Sequence, residues 1–153
     1  MNILALDTGT LTGWAVSYED SPNEIEYGTH DYGGLDRAAA WEQFRKDVCF
    51  DIKLMPDSKR LIAYEKTIHR GAGSVKLTGF ICFAEYAAWQ MSAQIMHFHN
   101  ASIKKYATGN GHASKNDMIQ AAVNKGWSPA NEHEADALWL LDYTRHQLAK
   151  VGK

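Results

Sequence analysis

The chain has 153 residues, enough for one ordinary domain with a real core and too few for two comfortable ones. Its 45% hydrophobic and 22% charged residues are a soluble globular composition, and no apolar run approaches the roughly 20 residues of a membrane span. The net charge of −2, taken over the whole chain, argues against a nucleic-acid partner.

In chain order, the first element expected is a buried strand over residues 2–7, with an antiparallel neighbour over 12–19. A third, edge strand follows at 24–32, where EIEYGTHDY alternates. After Gly33-Gly34, helical spacing of Leu35, Ala38, Ala39, Trp41, Phe44, Val48, Ile52 and Met55 predicts a helix over 35–55, with Pro56 just past its end. RLIAYE (60–65) reads as a short strand, and the Gly71-Ala72-Gly73 loop leads to a long helix at about 74–92. AQIMHFHN supplies a fifth strand, KKYATGNGHASK a polar loop, and two helices close the chain at about 114–125 and 132–149. The order βββ-α-β-α-β-α-α implies an α/β domain, a mixed sheet with helices on its faces. Cys49 and Cys82 lie in apolar helical patterns and are expected as buried thiols of a cytoplasmic protein. The N-terminus lacks the features of a signal peptide, in keeping with that compartment.

Two strands deliver a carboxylate directly after their apolar runs, Asp7 after ILAL and Glu65 after LIAY. In this strand order the first and fourth strands can be neighbours, which brings the two acids side by side. A third group lies in NEHEADALWLL, where Asp136 is flanked by Ala135, Ala137 and Leu138 and shares a helical face with His133 and Glu132. Each acid has a plainer reading. Asp7 suits a turn, Glu65 a salt bridge to Lys66 or Arg70, and Glu132 and Glu134 the positive end of a helix dipole. As a set, Asp7, Glu65 and Asp136 would repel one another unless cations neutralised them. Hard divalent ions with oxygen ligands do so, and a pair of them can serve phosphoryl displacement.

Charge is unevenly distributed. Residues 1–57 hold 4 Lys/Arg against 11 Asp/Glu, residues 58–130 hold 9 against 3, and residues 131–153 hold 3 against 4. A basic middle could concentrate positive potential on one face, as a polyanion partner requires, or be a solvated surface of uneven charge.

LALDTGTLTGWAV, IAYEKT, IKKYATGNGHASKNDMI and NEHEADALWLL, in this order and spacing, resemble the RuvC family of Holliday-junction resolvases, especially the short bacteriophage type. The resemblance covers nearly the whole chain, 1–153 as one nuclease domain. It implies an RNase H-like mixed five-stranded sheet flanked by helices, a homodimer, and cleavage of branched DNA, four-way junctions above all, with Mg²⁺ or Mn²⁺, about two ions per site. By the same resemblance, Asp7, Glu65 and Asp136 match metal ligands. His133 stands where members carry Asp or His and is the fourth ligand expected, ahead of Glu132. Lys104 and Lys115 match basic residues near the scissile phosphate, while Lys66, His69, Arg70, Lys76 and Lys105 are the remaining DNA-binding candidates. One position departs. Many cellular members place an aromatic three residues after the strand Glu, and here it is Ile68, so the junction-wedging ring does not carry over. Two other readings use the same residues: a non-catalytic junction-binding protein, and an actin-like ATPase or sugar kinase, whose two lobes need far more chain.

Overall fold

In the computed structural model, which describes residues 1–56, 59–66 and 74–151, the first strand β1 (Asn2–Asp7) has Ile3 to Leu6 buried on both faces. A strand buried on both sides occupies the middle of a sheet, and β1 does so. It pairs antiparallel with β2 (Leu11–Ser17), which pairs antiparallel with β3 (Ile25–Asp31). On its other side it pairs parallel with β4 (Arg60–Glu65), and β4 with β5 (Gln94–Phe98). The order is β3-β2-β1-β4-β5, so the first and fourth strands are neighbours, as the sequence implied.

Alternation along the strands sorts two cores. Leu4, Leu6, Val16, Ile62 and Tyr64 face α1 (Arg37–Leu54) and α2 (Ser74–Gln90), which contribute Phe44, Val48, Ile52, Phe80, Ala84 and Ala88. Ile3, Ala5, Ala15, Leu61 and Ala63 face the other way, against α3 (Asn100–Thr108), α4 (Lys115–Asn124) and α5 (Glu132–Val151). Helix starts follow local chemistry. Asp36 accepts from the amides of Ala38 and Ala39 to cap α1, and Ser114 with Asp117 forms a capping box on α4.

The face toward α5 is made of small residues, and at one point it has no side chain at all. A carbon added at Gly13 would fall 1.9 Å from the carbonyl oxygen of His133. The start of α5 therefore lies directly on the β2 backbone. Glu134 ties it down. This residue is 8% exposed, and its carboxylate accepts from the Ala130 amide at 2.7 Å and the Thr29 hydroxyl at 3.2 Å. Asn131 donates to the same hydroxyl and accepts from the Glu134 amide. Glu134 is thus an acid in the first turn of α5, as its position in the sequence suggests, and also a buried anchor between α5 and β3.

Three expectations change. The stretch read as a polar loop after β5 contains α3, ended by Gly109 at φ 81°, a left-handed conformation that glycine adopts without strain. Ile103 is buried in this helix while Lys104 and Lys105 project from it, so its polarity is that of a surface helix. Cys82 is exposed and Cys49 half-buried, because α2 turns Phe80, Ala84, Ala87 and Ala88 inward and leaves residue 82 on its outer side. Trp89, near the end of the same helix, is 73% exposed. Among the described residues, no helix is long and apolar enough to cross a membrane. Gly13→Ala should lower stability by about 1–3 kcal/mol, since it forces backbone apart. Urea denaturation measures this, and an unchanged midpoint would mean that α5 does not sit so close.

Candidate active site

Parallel strands end at the same sheet edge, and in α/β sheets the crevice beyond their carboxyl ends is where ligands bind. Leu6 pairs with Tyr64, so the next residues, Asp7 and Glu65, leave the edge together. The α5 contact at Gly13 brings His133 and Asp136 over the same edge, and α3, beginning just after β5, adds Lys104. Asp7, Glu65, Lys104 and Asp136, with Asn100, Ile103, Met118 and Leu140, line one cavity of about 10 Å³, the room of a single water molecule. His133 reaches the acids from one side, its Nδ1 2.8 Å from Oδ2 of Asp7. Asp7 and His133 also border a wider open cleft of about 400 Å³ with Thr8, Gly9, Thr10, Leu11 and Leu77.

The carboxylates feel their crowding. Burial first, and then the charges of Asp7 and Glu65, push Asp136 up to about 7, against the opposing pull of Lys104 and His133. Glu65 is raised for the same first reason and by Asp7, although Asn100 Nδ2 donates to its Oε2 at 2.8 Å and favours the ionised form. The hydrogen bond to Asp7 holds the His133 pKa above the usual imidazole value, outweighing burial. Crowding thus raises the proton affinity of Glu65, Asp136 and His133 together.

Of the adjacent pair Glu132 and His133, His133 reaches Asp7, while Glu132 forms an ion pair with Lys115. Lys115 stands at the first turn of α4 and is 69% exposed. Lys66 follows β4, its amide bonded to the Phe98 carbonyl and its side chain exposed. Lys105 is exposed on α3 and Lys76 half-buried on α2, and none of these three lines the cavity. His69, Arg70 and Ile68 lie outside the described residues. Asn100 was not singled out in the sequence. Its signal was its place at the end of β5, the strand next to the one bearing Glu65.

The donor set suits a hard divalent cation: three carboxylates and an imidazole around one opening. As the side chains stand, however, no group of three or more His, Cys, Asp or Glu among the described residues converges closely enough to hold an ion. They surround the opening without forming a closed cage.

Thermus thermophilus RuvC superposes on the chain with a TM-score of 0.75, over 99% of this chain and 97% of that one, at 18% identity. The fold is that of RuvC. T. thermophilus RuvC in complex with a Holliday junction substrate gives 0.78 over 99% and 96% at 16% identity. The yeast mitochondrial Holliday junction resolvase Ydc2 gives 0.57 over 91% and 75% at 12% identity. At these identities the likeness is one of fold. No family model matches the sequence, and no curated protein matches it.

The raised pKa values fix the pH dependence of the metal-free RuvC-like fold. A carboxyl raised from 3.8 to about 7 contributes stability fully present below pH 3.8 and lost as pH rises toward 7. His133, also raised, loses its contribution in the same direction. In chelator, the melting temperature should therefore fall by a few degrees from about pH 5 to about pH 8, and Asp136→Asn should remove most of that slope. A flat profile in the unmodified protein would show that the acids do not repel one another.

Proposed function

We propose that this protein is an endodeoxyribonuclease that resolves Holliday junctions and related branched DNA by divalent-metal-dependent phosphodiester hydrolysis. The observation that carries this reading is the meeting of Asp7, Glu65, Asp136 and Lys104 around one cavity at the carboxyl edge of a RuvC-like sheet. Support for the substrate comes from the structural neighbour bound to a Holliday junction and from the neighbouring yeast junction resolvase.

Asp7, Glu65, His133 and Asp136 would hold the metal, two Mg²⁺ or Mn²⁺ ions, and Asp7 borders both the small cavity and the open cleft. Bound there, the ions would stabilise the attacking and leaving oxygens of the phosphate. The chain's own part is to fix the donors. Asp7 and Glu65 extend from paired strands, and Asn100 holds Glu65 by its Oε2. For His133 to bind metal it must be neutral, so it gives up the extra proton that Asp7 favours. Lys104, at the cavity wall, would stabilise charge developing on the phosphate. Lys66, Lys76 and Lys105, with His69 and Arg70, would hold the DNA backbone.

The junction has two equivalent strands to cut about a two-fold axis, which calls for a C2 homodimer. The stacked, exposed rings of Tyr86 and Trp89 on α2, centroids 5.7 Å apart, offer apolar surface for it.

Asp7→Asn, Glu65→Gln and Asp136→Asn should each abolish cleavage of an end-labelled four-way junction and leave binding largely intact, because affinity rests on phosphate contacts. Lys104→Ala should slow cleavage more than it weakens binding. His133→Asp should keep measurable activity where His133→Ala loses it. Three-way, Y-shaped and linear substrates run alongside report selectivity. Normal turnover by Asp7→Asn would refute the reading.

The dimer has its own test. Light scattering should give twice the chain mass, and mixing wild type with Asp7→Asn should yield species that nick one strand and stop. A monomer that makes both nicks symmetrically would exclude it.

A further inference from the structure

Lys115 and Glu132 are the first residues of α4 and α5, and their side chains meet as an ion pair beside His133. The pairing is unusual in its surroundings. A cation at a helix N-terminus is opposed by the helix dipole, and of the acids near Lys115 one pairs with it directly. That anion is the Glu132 carboxylate. Its Oε1, which meets Lys115, also lies 3.7 Å from Nε2 of His133. Asp7 and Asp136 lie near enough to Lys115 to act on its charge, which puts the pair beside the acids and not on a remote surface. A carboxylate oxygen held between a lysine and a histidine that itself meets Asp7 occupies the kind of place a phosphate oxygen would take.

We infer that the Glu132 carboxylate is a built-in competitor of the DNA phosphate for Lys115, displaced as the strand seats. The inference rests on the nuclease reading above. Contact between Lys115 and a phosphate then exchanges one ion pair for another, so the gain from the new contact is reduced by the loss of the old one. Glu132 thereby sets how much of the lysine's charge is felt by the backbone. It raises the threshold for engagement, and strands that reach Lys115 with several other phosphate contacts already made overcome it most readily. The neighbouring Glu134, bonded to Ala130 and Thr29, has no part in this exchange.

The experiment measures affinity of the full-length protein for a synthetic four-way junction in chelator, so that no strand is cut, across a series of salt concentrations. Glu132→Gln should bind about three- to tenfold more tightly near 0.1 M salt, with an unchanged salt slope, because the same phosphate is contacted and only the ion pair to be broken is gone. In a Lys115→Met background the same change should give little further gain, because the two residues act as a unit. Three results would overturn the inference. Equal gains in both backgrounds would make Glu132 an unspecific negative charge. Unchanged or weaker binding by Glu132→Gln would make it a strut that holds Lys115 in position. Wild-type protein that prefers no branched DNA over linear duplex would remove the nuclease reading, and this inference with it.

Discussion

The start of α5 rests on bare backbone at Gly13, and the geometry of the acids depends on that contact. Helices usually keep their distance from a sheet because side chains intervene. Here residue 13 has none, and Ala5, Ala15 and Ala63 keep the neighbouring surface low. The helix is drawn in until His133 stands beside Asp7 and Asp136 looks into the same opening as Glu65. Two of the four candidate metal-binding residues come from the sheet and two from the helix, so the spacing between the pairs is set by backbone packing, Gly13 against the His133 carbonyl. Glu134 and Asn131 then fix the helix along the sheet through Thr29, which limits sliding as the glycine limits height.

Electrostatics works against this arrangement, and the chain's own groups offset part of the conflict. Asp136 keeps a proton well above the ordinary carboxyl range, Glu65 takes a hydrogen bond from Asn100, and Asp7 is met by the imidazole of His133. Lys104 contributes positive charge at the wall. Each device is a partial neutralisation. A constellation that must be neutralised piecemeal by protons, an amide, an imidazole and a lysine is one whose natural complement is a compact multivalent cation.

Much of this was legible in the sequence. The strand runs ending in Asp7 and Glu65, the neighbouring of β1 and β4, and the placement of Asp136 on a core-facing helix followed from apolar patterning and strand order, since a parallel pair must carry its terminal residues to one edge. What was not legible depended on distances between elements. Gly13 reads as one more turn residue until the helix it admits is present. Glu134 reads as a surface charge until Thr29 and the Ala130 amide close around it. The helix α3 was hidden because its lysines made a short amphipathic segment look like loop, although Ile103, Tyr106 and Ala107 at helical spacing followed by Gly109 carried its signal. The exposure of Cys82 and Trp89 depended on which side of α2 meets the sheet.

The contact between His133 and Asp7 closes a span of 126 residues. In a chain emerging from the ribosome, β1, β2 and β4 are all synthesised before α5, so Asp7 and Glu65 exist while His133 and Asp136 are still unmade. Nothing completes the set until α5, the last element in the order, is synthesised and settles onto Gly13. During translation the protein carries half a site, with two carboxylates at a sheet edge and no helix across from them. The competence of the edge thus arrives in one late step, tied to the docking of a single helix.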